Sequence, residues 1–245
     1  MTYICIDTSD NITSLTLAEN GEPIRFLSYE GPYHVERVAS LAAEIVSASG
    51  IQMKDLDFIS VVVGPGGFSG LRVGVTFASV LATALSLPVV ELSALELRAL
   101  SVQERWDYLI VVEDGKRKEV FFGIFRADGV RPVLVSEGHD KPENLNVLVS
   151  TQLSDLLDSS KVVVVTGGGL NKYRDIFAFG PAFHLNEDVR LGQSAKTLAY
   201  LSYVEFCEGR IKDPKNVTIK YLRDADARAN YVMMREPKAG SVVEA

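Results

Sequence analysis

One stretch sets the architecture of this chain: Val61-Val62-Val63-Gly64-Pro65-Gly66-Gly67-Phe68-Ser69-Gly70-Leu71-Arg72-Val73-Gly74. Its β-branched start predicts a short apolar strand, its glycines predict a turn, and the apolar segment from Arg72 to Leu87 predicts a helix. Glycines at such a corner permit a positive φ and the close approach of another group. A helix also begins with unpaired N–H groups and the positive end of its dipole. The corner therefore predicts either an anion site, with Arg72 as counter-charge, or a packing corner where two elements touch.

The same order of elements occurs twice around this corner: three strands, a helix, and a strand that runs into a glycine turn and a further helix. In the first half the predicted elements are strands at Tyr3–Ile6, Ile12–Ala18, Pro23–Tyr29 and Phe58–Val63 with a helix at Tyr33–Ser49. In the second half they are strands at Tyr108–Val112, Glu119–Arg126, Val130–Ser136 and Val162–Val165 with a helix at Leu145–Leu157. An acidic residue follows the first strand in each half, Asp7 and then Asp114.

This duplication predicts an α/β fold with two mixed sheets flanked by helices, the ribonuclease-H-like plan of the actin, Hsp70 and sugar-kinase superfamily. We expect an N-terminal domain over residues 1–103, a C-terminal domain over 104–223 and a polar tail over 224–245 that is disordered in part. Further predicted features are a hairpin turn at Asn20-Gly21, a capped helix from Ser93 and a last helix over Ser194–Glu208.

Composition limits the classes of function. The 245 residues carry a net charge of −7, which argues against a protein that holds nucleic acid through its overall charge. Two distant cysteines, Cys5 and Cys207, do not make a disulfide framework, so we expect a cytoplasmic protein. The uncharged stretch between Arg72 and Glu91 approaches the length of a membrane span, but scattered hydroxyl residues and Pro88 favour a buried helix of a soluble protein.

Few residues in this sequence are candidates for catalysis, phosphate binding or metal binding. Asp7 either helps to hold a hydrated magnesium ion, as in an actin-like ATPase, or caps the backbone of the turn that follows it. The glycine turn lacks the lysine and hydroxyl residue of a Walker loop. His34, His139 and His184 are isolated, so no metal site is expected, and His34 is interpreted as a surface or interface residue. No nucleophile has a recognisable catalytic spacing, so no catalytic residue is predicted.

The helix predicted over Leu71–Leu87 has almost no polar face. Such a helix must be covered on every side. Its own sheet and the helix at Tyr33–Ser49 can cover part of it, and the rest is either buried within the monomer or forms a subunit contact.

These motifs together resemble the bacterial TsaB (YeaZ) family. The family has an IDTS-type start, a histidine-glutamate helix, and GPGSFTGLR ahead of an apolar helix. Here Gly67 replaces the usual serine of that loop and Ser69 the usual threonine. The stretch from Asp114 to Phe121 resembles the family's DARRGEVY turn, and Tyr221-Leu222-Arg223 its C-terminal YLR, without the proline that normally precedes it.

The resemblance implies a non-catalytic subunit for assembly or dimerisation. Its expected partner is the related TsaD subunit, which carries metal-binding histidines and transfers threonylcarbamoyl to N6 of adenosine 37 in tRNAs that read ANN codons. The family also implies a TsaE-type ATPase on the assembled pair, a homodimer when the protein is alone, and tRNA contact only through the complex. The basic triplet Lys116-Arg117-Lys118 could contribute to that contact.

The resemblance places the partner interface on two helices of the first half, at His34, Val35, Val38, Leu41, Ala42, Leu71, Val73, Phe77, Ala78 and Leu81. If a nucleotide or anion binds, its expected site comprises Asp7, Thr8, Gly64, Gly66, Gly67, Gly70 and Arg72. No tightly bound cofactor is expected, and ATP with magnesium would enter only through the partner complex. The alternative is an actin-like ATPase or phosphotransferase that uses Asp7 and Asp114 with magnesium.

Overall fold

The computed structural model describes residues 1–31, 33–129, 131–152, 161–177, 183–186 and 194–223. Two five-stranded mixed sheets are present within them. The first has the strand order β3-β2-β1-β4-β5 and the second has the order β10-β9-β6-β7-β8. Read from the opposite edge, the second order repeats the first, so the predicted duplication and fold class are confirmed.

The first half begins with an antiparallel meander and continues with parallel strands joined through helices. Its elements are β1 (Thr2–Asp7), β2 (Ile12–Glu19), β3 (Glu22–Glu30), α1 (His34–Ser47), β4 (Phe58–Gly64), α2 (Phe68–Leu85), β5 (Val89–Ser93) and α3 (Ala94–Ser101). Asn20 and Gly21 both have a positive φ, as the predicted hairpin turn requires. The Ser93 side chain accepts from the N–H of Glu96, which confirms the cap of α3.

The second half repeats the meander and then departs from the sequence prediction. Its elements are β6 (Tyr108–Lys116), β7 (Glu119–Arg126), β8 (Val133–Asp140), α4 (Pro142–Gln152), β9 (Val163–Thr166), α5 (Gly168–Lys172), β10 (Phe183–Asn186) and α6 (Ala195–Cys207). Strand β8 begins three residues later than predicted and β10 is not predicted at all. Residues 153–157 of the predicted fourth helix and the tail at 224–245 lie outside the described residues.

Helices cover both faces of the first sheet. Helices α1 and α2 pack on one face around Ile4, Ile6 and Ile59. On the other face, Leu198, Ala199 and Leu201 of α6 pack against Tyr3 and Cys5. Helix α6 lies in the second half of the sequence, yet it contributes to the core of the first sheet.

A smaller apolar cluster joins the two halves. It combines Leu95 and Ala99 of α3 with Leu109, Phe125 and Val164 of the second sheet. Leu222 packs against the same cluster. The halves therefore share buried surface in addition to the connecting chain.

Helix α2 is, among the described helices, the one that is long and apolar enough by composition to cross a membrane. The core helix of a soluble protein meets the same test. Here α2 packs against β4 and α1, and Val75, Ala78 and Ala82 belong to the core of the first sheet. Packing of one face accounts for part of its apolar character, and Val80 on the same helix is exposed.

Candidate functional site

The corner after β4 is filled by the turn that follows β1. The N–H of Gly67 donates to the carbonyl oxygen of Ser9 at 2.7 Å, and the Thr8 hydroxyl donates to the carbonyl oxygen of Gly70 at 2.7 Å. A Cβ on Gly66 would lie 2.3 Å from the Ser9 oxygen, and one on Gly70 would lie 2.1 Å from the Thr8 oxygen. Only glycine fits at these two positions, so the contacts favour the packing-corner interpretation.

Two more glycines of the corner are enclosed by the chain itself. Gly74 lies in the second turn of α2, where a Cβ would come 2.2 Å from the Thr8 hydroxyl oxygen. Gly64 has a φ of +125° and would place a Cβ 2.8 Å from the carbonyl oxygen of Lys220. The Lys220 N–H donates to the Val63 carbonyl, so the C-terminal segment closes the corner from the other side.

Asp7 caps its own turn. The side chain is buried, and its Oδ1 accepts from the backbone N–H of Ser9 at 2.9 Å and from the Ser9 hydroxyl at 2.6 Å. Burial raises the pKa of the Asp7 carboxyl, and the two hydrogen bonds from Ser9 oppose that rise. The geometry is that of the turn-capping alternative.

His34 lies inside the monomer, which corrects its interpretation as a surface or interface residue. Its side chain is buried and its Nδ1 is 2.7 Å from the Thr13 hydroxyl oxygen. Its Nε2 would lie 3.4 Å from a Cβ on Gly70. Burial lowers the pKa of His34, with partial opposition from Asp10. His34 therefore packs behind the glycine corner, and three separate sequence motifs meet in one cluster.

Arg72 is exposed at the start of α2 and is held by aromatic neighbours. Its guanidinium carbon lies 3.9 Å from the centroid of the Phe68 ring, and its Nε donates to the Tyr221 hydroxyl at 3.2 Å. The Phe68 and Tyr221 rings are 5.1 Å apart. The family-like YLR segment therefore packs on the first turn of α2, a contact that sequence reasoning missed.

The second half contains a corresponding corner. A Cβ on Gly167 would lie 2.1 Å from the carbonyl oxygen of Val112. Glu113 bridges this corner to α3, because its Oε2 accepts from the N–H of Gly168 at 3.0 Å and its Oε1 accepts from Arg98 Nε at 2.8 Å. Arg98 was not singled out from the sequence, since nothing local in its helix indicates a partner fifteen residues later.

Asp114, the other carboxylate of the magnesium alternative, is engaged by two lysines. Its Oδ2 accepts from Lys116 Nζ at 3.0 Å and from Lys172 Nζ at 2.8 Å. Burial tends to raise the pKa of Asp114, but the hydrogen bonds from Lys172 and Lys116 outweigh it and the pKa is lowered. Within the described residues, no group of three or more His, Cys, Asp or Glu side chains is placed to hold a metal ion.

The residues predicted for a partner interface separate into two sets. Five are buried in the monomer and cannot meet a partner while it is folded: His34, Val38, Ala42, Leu71 and Ala78. The other five are exposed or half-buried: Val35, Leu41, Val73, Phe77 and Leu81. Val80, which was not predicted, is 63% exposed, and Val35 is 71% exposed. We call Val35, Leu41, Val73, Phe77, Val80 and Leu81 the outward apolar face.

Residues 31–228 match the family model described as TsaD, tRNA N6-adenosine threonylcarbamoyltransferase. The chain belongs to the TsaD family. Among related proteins, the Bacillus subtilis tRNA threonylcarbamoyladenosine biosynthesis protein TsaB is 24% identical over 236 residues, or 95% of this chain and 98% of that protein. The Haemophilus influenzae protein of the same name is 29% identical over 133 residues, which cover 54% of this chain and 56% of that protein.

Two solved structures share the fold over most of the chain. YeaZ from Pseudomonas aeruginosa superimposes with a TM-score of 0.73 at 23% identity, covering 90% of this chain and 99% of that one. A second Pseudomonas aeruginosa structure, described as similar to peptidase YeaZ, gives a TM-score of 0.75 at 24% identity over 91% of this chain and 99% of that one. At these identities the likeness establishes the fold, and together with the TsaB relatives it confirms the TsaB (YeaZ) resemblance.

Proposed function

We propose that this chain is a non-catalytic subunit of the complex that transfers threonylcarbamoyl to N6 of adenosine 37 in tRNAs reading ANN codons. Its role is to bind the catalytic, TsaD-type subunit. Two findings support the assignment of the chain to this reaction: it belongs to the TsaD family, and it is similar to proteins named for tRNA threonylcarbamoyladenosine biosynthesis. The outward apolar face supports the role as a binding subunit.

The outward apolar face is the observation that carries the proposal. Helices α1 and α2 bury one side against the first sheet, and their other side carries Val35 and Val80 far above the exposure of a core residue. Val73, Phe77 and Leu81 are half-buried and also pack against the core of the first sheet, so each leaves only part of its side chain exposed. Exposed apolar surface on a folded protein marks protein interaction sites, and aromatic side chains such as the half-buried Phe77 are enriched at interface centres.

The contacts of the two carboxylates weigh against the ATPase alternative. The Asp7 carboxylate accepts a hydrogen bond from the Ser9 hydroxyl, and the Asp114 carboxylate accepts hydrogen bonds from the Lys116 and Lys172 side chains. A magnesium ion at these carboxylates would compete with the hydrogen bonds from Ser9 and with the two lysine ammonium groups. In this proposal the chain holds no tight cofactor, and ATP with magnesium enters through the partner complex, on which a TsaE-type ATPase binds.

Light scattering on a sizing column tests the proposal, with the chain alone and mixed with the TsaD-type subunit from the same cell. The deciding variant is Val80→Asp, because it places a carboxylate in the outward apolar face. Val147→Asp is the matched control, since Val147 is also 63% exposed and lies on α4 in the second half. We expect a stable species of one or two copies of each subunit, and a loss of at least about tenfold in affinity for Val80→Asp only.

Three results would contradict the proposal. The wild-type chain and its partner could fail to associate, or Val80→Asp could bind as tightly as Val147→Asp. Turnover of ATP by the isolated chain, lost in Asp7→Ala, would favour the enzyme instead. The proposal also expects a cytoplasmic protein in which the same face pairs two copies when the partner is absent.

A further inference from the structure

The turn between β6 and β7 has an unusual backbone. Lys116, Arg117 and Lys118 have φ values of 60°, 54° and 64°. Residues other than glycine visit this left-handed region mostly singly, and each visit costs about 1–2 kcal/mol. Three consecutive basic residues in this conformation are therefore held by their surroundings, and strain of this kind concentrates at functional sites.

Contacts on both sides brace the turn. Asp114 accepts from the backbone N–H of Lys116 at 3.0 Å and from the side chains of Lys116 and Lys172. On the other side, Arg223 Nη1 donates to the carbonyl oxygen of Gly115 and to Glu119 Oε2, both at 2.8 Å. The basic side chains thus project from a turn that is fixed at its base.

The charge of this region is opposite to that of the protein. Among the described residues, the turn and the ion pairs at its base include five cationic side chains and two carboxylates, whereas the whole chain has a net charge of −7. The cations are Lys116, Arg117, Lys118, Lys172 and Arg223, and the carboxylates are Asp114 and Glu119. Arg117 and Lys118 are exposed at the tip.

The region continues onto the first half through the C-terminal segment. Arg223 contacts the turn, and two residues earlier Tyr221 receives a hydrogen bond from Arg72. Tyr221 is 42% exposed. We call Arg72, Tyr221, Arg223, Lys116, Arg117 and Lys118 the basic band. It joins both halves and places an aromatic ring among cations, a combination suited to RNA, whose backbone is anionic and whose bases stack on aromatic rings.

We propose that the basic band binds the phosphate backbone of the substrate tRNA. This inference rests on the proposed function, because that function makes tRNA the substrate of the complex. The chain as a whole repels nucleic acid, so the band adds to binding by a partner and orients the tRNA on the assembled pair. Phosphate contacts of this kind position a nucleic acid without reading its sequence.

The test is a fluorescence anisotropy titration of a labelled, unmodified tRNA transcript that reads an ANN codon. It is run over a series of salt concentrations with the chain alone and with the chain plus the TsaD-type subunit. The variant is Arg117→Gln with Lys118→Gln, which removes two charges and keeps straight side chains in both left-handed positions. The matched control is Lys54→Gln with Lys215→Gln, two exposed lysines outside the band.

For the band variant we expect a plot of log affinity against log salt that is less steep by about 2, and an affinity about tenfold weaker at low salt. The control should match wild type. Equal slopes for the band variant, the control and wild type would overturn the proposal, as would a wild-type mixture that does not bind tRNA. An unchanged slope with weaker subunit assembly on a sizing column would instead show that the band contacts an acidic protein surface. If wild-type subunits assemble but the slopes are equal, only the band proposal fails; if they do not assemble, the proposed function fails and the band proposal fails with it.

Discussion

At the scale of single residues, the glycines of the corner differ in the space that the structure leaves for a side chain. Gly66 and Gly70 lie where a Cβ would overlap backbone oxygens of Ser9 and Thr8, whereas the nearest atom to a Cβ on Gly67 is 3.6 Å away. We therefore expect Gly66→Ala and Gly70→Ala each to lower the free energy of unfolding by about 2–4 kcal/mol, because a backbone oxygen cannot move aside without shifting its strand.

Gly67→Ala is the matched control, with an expected cost within about 1 kcal/mol for a poorer helix cap. Chemical denaturation of the three variants measures the difference. Equal stability for all three would mean that the turn after β1 can move away from the glycines. The corner could then open, and the anion-site alternative would be favoured again.

The roles of these residues could be predicted only as alternatives. The sequence shows glycines, an aspartate and a histidine, and each of these residue types serves in both binding and packing. The choice depends on Ser9 and Thr8 oxygens that lie about sixty positions away along the chain. Every residue carries a backbone carbonyl oxygen, so the residue type does not indicate which oxygen makes the contact. The contact can be identified only when the positions of the strands are known.

At the scale of elements, strand and helix periodicity predicted most of the secondary structure. The errors lie where one sequence pattern is compatible with two structures. Helix α2 begins at Phe68, before the predicted start at Leu71 or Arg72, because the glycine-rich sequence is typical of a turn although Gly70 lies inside the helix. Strand β8 runs on to Asp140 since it is the edge of its sheet, where polar residues are tolerated and apolar alternation is lost.

His34 makes the attachment of α1 to β2 depend on pH. Burial lowers its pKa, so the folded chain keeps His34 neutral at pH values where the unfolded chain, with a pKa near 6.5, takes up a proton. The unfolded state then binds more protons, and the free energy of unfolding decreases as pH falls below about 6.5.

His34→Gln retains a group that can hydrogen-bond with Thr13 but does not titrate. Urea unfolding between about pH 7.5 and pH 5 should show a shallower pH dependence for His34→Gln than for wild type. At pH 7.5 the variant should cost about 1 kcal/mol for the altered hydrogen bond. Parallel pH profiles would contradict the burial of a neutral histidine at this position.

At the scale of the whole molecule, the two halves of the sequence are interleaved. Helix α6 covers the first sheet, and the C-terminal segment packs Tyr221 on α2 and Leu222 between the halves. The duplication itself was predicted from sequence because it repeats a pattern of elements. The packing of α6 on the first sheet was not, since the sequence of a helix does not show which sheet it covers.

The Arg98–Glu113 ion pair is the contact through which this interleaving can be measured. Its side chains are 9% and 24% exposed, and it joins α3 of the first half to β6 of the second. Arg98→Met leaves Glu113 largely buried without its cation, which should cost about 2–3 kcal/mol, below the full cost for a completely buried pair. Arg98→Met with Glu113→Gln should cost less than Arg98→Met alone, because the introduced glutamine side chain still accepts from the Gly168 N–H and leaves no unpaired charge.

Calorimetry measures these differences. It should show one unfolding transition for wild type and for each variant, with the Tm lowered by about 2–4 °C for each kcal/mol of destabilisation. Two separated transitions in Arg98→Met would mean that each half unfolds by itself, and a double variant no more stable than Arg98→Met would contradict the cost of an unpaired Glu113 charge.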